Sequence, residues 1–588
     1  MNKSDVREES TKGEKRSSDP ASEAWNQLPW RKLEKHCFRI QKRIYQASQR
    51  GNTRAVHKLQ KLLLKSEAAR LIAIRRVTQE NQGKKTAGVD GVKSVKPQAR
   101  LAMASHIHPK QWRHQTPKPV RRVWIPKPGK AERRPLGIPP MIERCKQALV
   151  KLALEPEWEA KFEANSYGFR PGRSCHDAKE ALFNAINRKS KFVFDADIKG
   201  AFDHIKQEAL LEKLHTYPTL RKAVKGWLKA GVMEGCSFSP TEVGTPQGGV
   251  ISPLLMNVAL HGMETLISEG YSKSHTVEKP RLIRYADDFV IVHSKLEELQ
   301  KVSEKVTRWL EDLGLTLSPK KTRITHTLTP YQGNVGVDFL GFTIRQFPVG
   351  KTQTGKAPQG KPLGFKTYIK PSKEAVKRHM LTIKGQLRKL RSASQEEVIK
   401  DLNPVIWGWA AYYKTANSSR TFKRCDHVLW GQLMAWSIAR HREKGTRWVV
   451  EKYWHRVGTR KWVFATPTNA ELRMHSKTKF QRYTKVKGTA SPYDGNTLYW
   501  SQRLKTHPLL HETKARLLQK QQGKCRWCEL HFKDGDVMEI DHLDRNRNNN
   551  DLSNKMLLHR HCHDERHAQL AETEKIRKRL ADAGIHIK

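Results

Sequence analysis

The sequence predicts a multidomain α+β protein that ends in a small module of Cys and His residues. Three observations point there. A chain of 588 residues exceeds what a single hydrophobic core organises. Short apolar runs, helical periodicities and Gly/Pro turns alternate from about residue 85 to 345, and a helical, Trp-rich stretch follows from about 370 to 466. Of the eight cysteines, only Cys525, Cys528 and Cys562 are grouped, with histidines beside them.

Taken in order, residues 1–24 are polar and charged and are expected to be disordered. Residues 25–95 form an N-terminal helical extension, with apolar spacing laced by Arg and Lys as in KLQKLLLKSEAARLIAIRRV. Residues 96–368 hold the mixed α/β part. The unit over 369–466 opens with a helix on which Val376, Met380, Ile383, Leu387 and Leu390 recur at spacings of four and three. Arg378, Lys384 and Arg388 lie elsewhere on its surface. Its Trp407, Trp409, Trp430, Trp436, Trp448, Trp454 and Trp462 read mostly as core filling. Residues 467–512 are basic without clear periodicity, 513–575 hold the Cys/His module, and 576–588 form a tail.

Charge sets the class of partner. Lys and Arg total 111 against 58 Asp and Glu, a net charge of +53. Self-repulsion on that scale calls for a polyanion, and nucleic acid is the expected one. The basic residues run along the whole chain rather than along one amphipathic helix, which disfavours an anionic membrane. There is no run of ~18 apolar residues to span a bilayer, so no membrane partner is expected. The opening MNKSDVREESTKGEKRSSDP lacks the apolar core of a secretory signal. The scattered single cysteines Cys37, Cys145, Cys175, Cys236 and Cys425 suit a reducing, cytoplasmic setting, in a bacterial cell or an organelle interior.

The acids are patterned. In RLIRYADDFVIVHS, strand residues Leu282 and Ile283 run into Tyr285-Ala286-Asp287-Asp288, and Phe289 to Val292 lead out, which predicts a tight hairpin with carboxylates at its tip. Alone, that is equally an ordinary polar turn. A second strand, Lys191-Phe192-Val193-Phe194, runs into Asp195-Ala196-Asp197-Ile198, with Asp195 and Asp197 on one face. Two strands ending in acids can gather carboxylates around two Mg²⁺ ions. Such ions, about 3.5–4 Å apart, stabilise the attacking and leaving oxygens of phosphoryl transfer.

YADD at 285–288 resembles the catalytic hairpin of reverse transcriptases, and ADIKGAFDHI at 196–205 resembles their first catalytic strand. RRVWIPKPGKAERRPLGIP at 121–139, SYGFRPGRS at 166–174 and GTPQGGVISPLLMNV at 244–258 resemble fingers and palm segments. LGLTLSPKKTRITH at 313–326 and VDFLGF at 337–342 resemble the late palm and primer grip. With AGVDGV at 87–92, this order is similar to that of group II intron-encoded proteins, from about residue 80 to the C-terminus. The resemblance implies a right-hand polymerase, with fingers and palm over 96–368 and a helical thumb, or domain X, over 369–466. It also implies a basic DNA-binding region over 467–512. Asp197 rather than Asp195 would be the first Mg²⁺ ligand, Asp287 the second, with Asp288 in support. Lys127 and Arg134 would meet the triphosphate of the incoming deoxynucleoside triphosphate. Gln247 would contact that nucleotide beside Gly248-Gly249, a turn that permits close backbone approach. Phe202 would block a ribose 2′-OH; Ala201 departs from an aromatic often found beside it. LNPVIWGWAAYYK at 402–414 carries the likeness to domain X, and there Tyr412, Tyr413 and Lys414 would stack on and neutralise RNA.

In the C-terminal module, Cys525 and Cys528 form a C-x-x-C pair, and His559 and Cys562 an H-x-x-C pair. Together they would make a tetrahedral Cys₃His Zn²⁺ site. A disulfide is the alternative, and His561 competes with His559 as a ligand. Between the pairs, Val537-Met538-Glu539-Ile540-Asp541-His542 reads as a strand, and Asn554, His563 and His567 follow, the last two sharing a helix face. His542, Asn554 and His563 resemble the HNH endonuclease motif, which implies a small zinc-stabilised ββα nuclease module. His542 would be the general base, Asn554 would hold the loop that orients it, and Asp541, His563 and His567 would carry the nuclease metal. A DNA-binding zinc finger using Cys525, Cys528, His559 and His563 is the alternative; the long gap and the Asp541-His542 pair argue against it.

The resemblance thus implies three activities: an RNA-directed DNA polymerase, a maturase assisting the splicing of group II intron RNA, and an endonuclease that nicks target DNA to prime cDNA synthesis. The alternative is a splicing cofactor alone, with the polymerase fold kept as a scaffold.

Overall fold

The computed structural model describes residues 24–126, 132–271, 278–350, 352–357, 359–468 and 470–583. Residues 1–23 of the polar tail, Lys127 and residues 584–588 lie outside the described residues.

The N-terminal helices form where the apolar spacing places them. Trp30–Gln49, Thr53–Lys65 and Glu67–Arg75 bury Ile40 and Ile44, Leu59 and Leu63, and Leu71 and Ile72. Asn52 caps the second helix by accepting the Ala55 N–H at 2.9 Å. All three pack on Met141–Lys161, which buries Cys145, Leu149, Leu152, Leu154 and Trp158. A helix buried nearly all round belongs in the middle of a domain. Pro97–His106 packs on Glu67–Arg75, so this helical layer continues past residue 95.

At the centre is an antiparallel sheet in the order Arg281–Tyr285, Asp288–His293, Phe192–Asp197, Arg323–His326. Strand alternation divides its side chains between two cores. Phe194, Leu282, Phe289 and Ile291 face the core of the N-terminal helices. Val193, Ile283, Val290 and Val292 face a second core with Phe339, Phe342 and the helix Cys175–Ile186. By the same parity, Asp195, Asp197 and Asp288 fall on the second face, toward the strand ends. A smaller sheet has the order Arg133–Ile138, Val120–Pro126, Val232–Glu234, Ser237–Ser239.

The Trp-rich unit has its own core. Lys373–Lys389, Gln395–Tyr413, Ser419–Arg440 and Thr446–Tyr453 enclose Met380, Ile383, Leu387, Leu402, Trp436 and Trp454. The expectation that Tyr412 and Tyr413 face RNA is corrected here. Tyr413 is 4 % exposed and donates to the Gly341 carbonyl at 3.2 Å. Tyr412 donates to Leu340 O at 2.9 Å and stacks on Phe342, and Lys414 is half-buried. The end of their helix packs against the Leu340-Gly341 turn, which spends both rings on joining two units.

The described residues of 467–512 run as an extended segment with a short 3-10 turn, His475–Lys477, and an α-helix, Thr497–Lys505. Val486 and Trp500 join the second core. Buried Asp177 pins the segment by accepting the Val486 N–H at 2.7 Å and Arg503 at 2.9 Å. The C-terminal module is a hairpin, Met538–His542 paired with Lys555–His559, followed by the helix Arg560–Asp582. That helix continues through residues 576–582, which were expected to be tail. The module rests on the N-terminal helices: Arg31 pairs with Glu529 at 2.8 Å, and His561 lies against Trp30 and Glu80. No helix among the described residues is long and apolar enough to cross a membrane.

Candidate functional site

Two strand ends bring the acids together. Asp197 closes its strand directly opposite Asp288. Asp287 sits in the two-residue tip between Tyr285 and Asp288, where Ala286 adopts φ +59°. That conformation costs a non-glycine residue about 1–3 kcal/mol, so the surroundings must enforce it. Buried Arg284 donates to Ala286 O at 3.1 Å, to Asn257 Oδ1 at 3.1 Å and to Ser166 Oγ at 2.7 Å. Asn257 donates in turn to Gly168 O at 2.7 Å. Position 168 admits no side chain, because a Cβ there would lie 2.3 Å from the Ala286 amide nitrogen. The Ile198 N–H donates to Asp287 O at 3.3 Å and ties the two strand ends.

The carboxyls are crowded. Burial pushes Asp288 up to about 8, with Asp195, Asp197 and Asp287 adding to the rise. Burial raises Asp287 as well, and raises Asp195 to about 6 although Arg323 lies 3.1 Å away. Asp197 holds Lys321 at 2.6 Å. A site that resists charging its carboxyls and draws in cations is short of positive charge, a deficit that a divalent cation relieves. Neither Lys321 nor Arg323 was singled out from sequence; the only signal was the basic run SPKKTR.

Phe202 is buried and edge-on to Phe169, with ring centroids 6.1 Å apart. Its carbonyl accepts the Thr245 N–H at 2.6 Å, which leads to the turn carrying half-buried Gln247. There Gly248 has φ +117°, and a Cβ would lie 2.6 Å from Gly137 O. Arg134 is exposed on Arg133–Ile138 and close enough to pull down the carboxyls of Asp203 and Asp287 against the effect of burial. Arg134 is thus within electrostatic reach of the acids.

In the C-terminal module, the ligand atoms of Cys525, Cys528, His559 and Cys562 lie within 4.8 Å of one another, and all four residues are buried. No disulfide joins these cysteines. Hydrogen bonds from Cys528 and Cys562 pull the Cys525 thiol well below its usual range. Three sulfurs and an imidazole packed this closely fit zinc. His559 turns Nδ1 toward Cys528 Sγ at 3.4 Å and Nε2 toward Asp536 at 3.3 Å. A carboxylate behind the imidazole orients a metal ligand, and the sequence reading had passed over Asp536. His563 does not join this cluster; its ligand atom lies within 4.8 Å of those of Asp541 and His567.

Asp541 pairs with Arg566, and with His567 at 3.4 Å. Burial would raise its carboxyl, but the His542 N–H and Arg566 outweigh that and hold it below the usual range. His542 ends the strand beside it, with Nε2 buried and without a hydrogen-bond partner among the described residues. Asn554 Oδ1 accepts the Asp544 N–H at 3.0 Å, and its Nδ2 donates to Asp544 Oδ1 at 2.8 Å and Asn549 O at 3.1 Å. Its carbonyl accepts the Leu543 N–H at 2.8 Å, so Asn554 clamps the loop that leaves His542.

Residues 125–344 match the family described as reverse transcriptase (RNA-dependent DNA polymerase). Residues 25–107 match the N-terminal domain of reverse transcriptase, and 376–454 the group II intron maturase-specific domain. Protein YkfC of Escherichia coli (strain K12) is 33% identical over 324 residues, 49% of this chain and 83% of that protein. Group II intron-encoded protein LtrA of Lactococcus lactis subsp. cremoris is 28% identical over 375 residues, 51% of this chain and 61% of LtrA. A 91 kDa protein in the cob intron of Schizosaccharomyces pombe is 26% identical over 401 residues, 57% of this chain and 48% of that protein.

Proposed function

This chain belongs to the reverse transcriptases with a maturase domain found among group II intron-encoded proteins, and from that premise we propose that it copies RNA into DNA at Asp197 and Asp287, assists the splicing of its intron RNA, and nicks target DNA with its C-terminal module. The observation that carries the polymerase reading is the crowding of Asp197, Asp287 and Asp288 at one end of the central sheet, the palm of the polymerase, with Asp288 pushed up to about 8. Asp197 and Asp287 would hold Mg²⁺, with Asp288 in support; when bound, it supplies the positive charge that activates the primer 3′-hydroxyl and stabilises the phosphates. Arg134, with Lys127 in the same role, neutralises the triphosphate of the deoxynucleotide. Gln247 contacts the nucleotide, and Phe202 fills the space of a 2′-OH. The helices of residues 369–466 serve as the thumb and bind intron RNA.

In the C-terminal module, Cys525, Cys528, His559 and Cys562 would hold structural Zn²⁺. Asp541, His563 and His567 offer the ligands of a second, exchangeable ion at the scissile phosphate. His542, whose Nε2 has no hydrogen-bond partner among the described residues, would be the group that takes a proton from water. The basic segment 467–512 would follow the DNA. The combination is chemically coherent, because a polymerase needs a primer and a nick supplies a 3′-OH. The test is a ribonucleoprotein reconstituted with the intron RNA, in which splicing and RNA-templated primer extension are measured side by side. Both are expected. Splicing without extension would reduce the protein to a splicing cofactor.

A further inference from the structure

The hairpin after Thr446–Tyr453 carries an anomaly. Its strands Trp454–Val457 and Arg460–Phe464 pair Trp454 with Phe464 and His455 with Val463, then slip so that Val457 meets Arg460. Trp462 stands in the slipped stretch with φ +61°. Glycine takes that position at a bulge without strain, whereas a bulky side chain does not. Packing does not repay the strain: Trp462 is 65% exposed, the most exposed large hydrophobic side chain among the described residues.

The base of the hairpin, by contrast, is firmly held. Trp454 and Phe464 are buried in the helical core, and Gln395 Nε2 donates to Tyr453 O at 2.8 Å and Ala465 O at 3.0 Å. A rigid stem therefore presents a bare indole. Arg456 and Lys461 beside it are exposed, and Arg460 pairs with Glu471. Lys is depleted around aromatic anchors that receive proteins, so this basic setting suits a polyanion with flat faces. The hairpin begins at residue 454, where the maturase-specific match ends, and so continues the surface of that domain.

We propose that Trp462 is a stacking platform for an unpaired base of the intron RNA, with Arg456 and Lys461 on the adjoining phosphates. The proposal rests on the maturase reading for the identity of the RNA.

The test uses the full chain and measures equilibrium binding to the intron RNA, to a short unstructured RNA and to single-stranded DNA of the same sequence. Trp462→Ala and Trp462→Gly should each weaken RNA binding about ten-fold, the loss of one base stack. The slope of affinity against salt should be unchanged, because phosphate contacts remain. Trp462→Tyr should restore binding. Trp462→Gly should melt no lower than the parent, since glycine relieves the left-handed strain. Unchanged RNA binding in the Ala and Gly variants, or a binding loss that follows a loss of melting temperature, overturns the proposal. A loss confined to DNA overturns the RNA assignment. Failure of the parent to prefer intron RNA over other RNA would refute the maturase reading instead, and is read independently of position 462.

Discussion

The acidic site and the Cys/His module both end antiparallel strands in polar groups, Asp197 and Asp288 in one, His542 and His559 in the other, but hold them by opposite means. The palm sheet lies between two large cores, and Arg284, Asn257, Ser166 and Gly168 fix the tip of its hairpin. Its geometry is built from packing and the hydrogen bonds of buried Arg284 and Asn257 before any ion binds. The module has a small core of residues such as Leu517, Phe532, Met538, Leu557 and Leu558, and Cys525, Cys528 and Cys562 are themselves part of it. A unit with so little apolar area needs a staple. The difference teaches that a metal would act as a reagent in the palm but as part of the fold in the module.

The sharpest way to break that contrast is Cys525→Ser. It should lose zinc and unfold the module, because binding of structural zinc, about 10–16 kcal/mol, is folding energy in such domains. Zinc content and limited proteolysis read this out; a module that stays folded without zinc would erase the distinction. Asp287→Asn should leave the palm folded, with an unchanged melting temperature, yet cut primer extension by roughly 10³-fold. Near-normal extension would remove Asp287 from the site. His542→Ala should lower nicking by about 10²–10⁴-fold while zinc content, splicing and extension from a supplied primer persist. If the strand were still nicked at the parental rate, the module would be better read as a DNA-binding finger.

Phe202→Ala should admit ribonucleotides, with discrimination falling by about 10–200-fold. Because Phe202 is buried, stability will also fall, so the ratio of ribo- to deoxynucleotide incorporation is the informative quantity. The smallest expected effect concerns pH. Asp288 is raised, so without Mg²⁺ its contribution to stability is full below the ordinary carboxylate range and is lost as pH rises through about 8. Mg²⁺ requires the charged form. Its stabilisation of the palm in thermal melts should therefore grow from pH 6 to pH 8, and Asp288→Asn should flatten the dependence. An Mg²⁺ shift independent of pH in the parent would show that Asp288 does not couple to the ion.

The sequence alone determined the order of the units and the local patterns within them. Acids ending apolar strands at Asp197 and at Asp287-Asp288, paired candidate ligands at Cys525/Cys528 and His559/Cys562, and the helical spacing of Met380, Ile383 and Leu387 are all short-range signals. They are legible because strand and helix periods are set by the backbone. Only the tertiary structure decided what meets across long separations. It put Asp288 opposite Asp197, Lys321 on Asp197, Asp536 behind His559 and Arg566 on Asp541. It also turned Tyr412 and Tyr413 inward against Leu340 and Gly341, and left Trp462 bare where composition suggested core filling. An aromatic or charged side chain carries the same local signal whether it packs, pairs or waits for a ligand. Which of these it does is fixed by strand register and by the surface of a partner element far away in the chain.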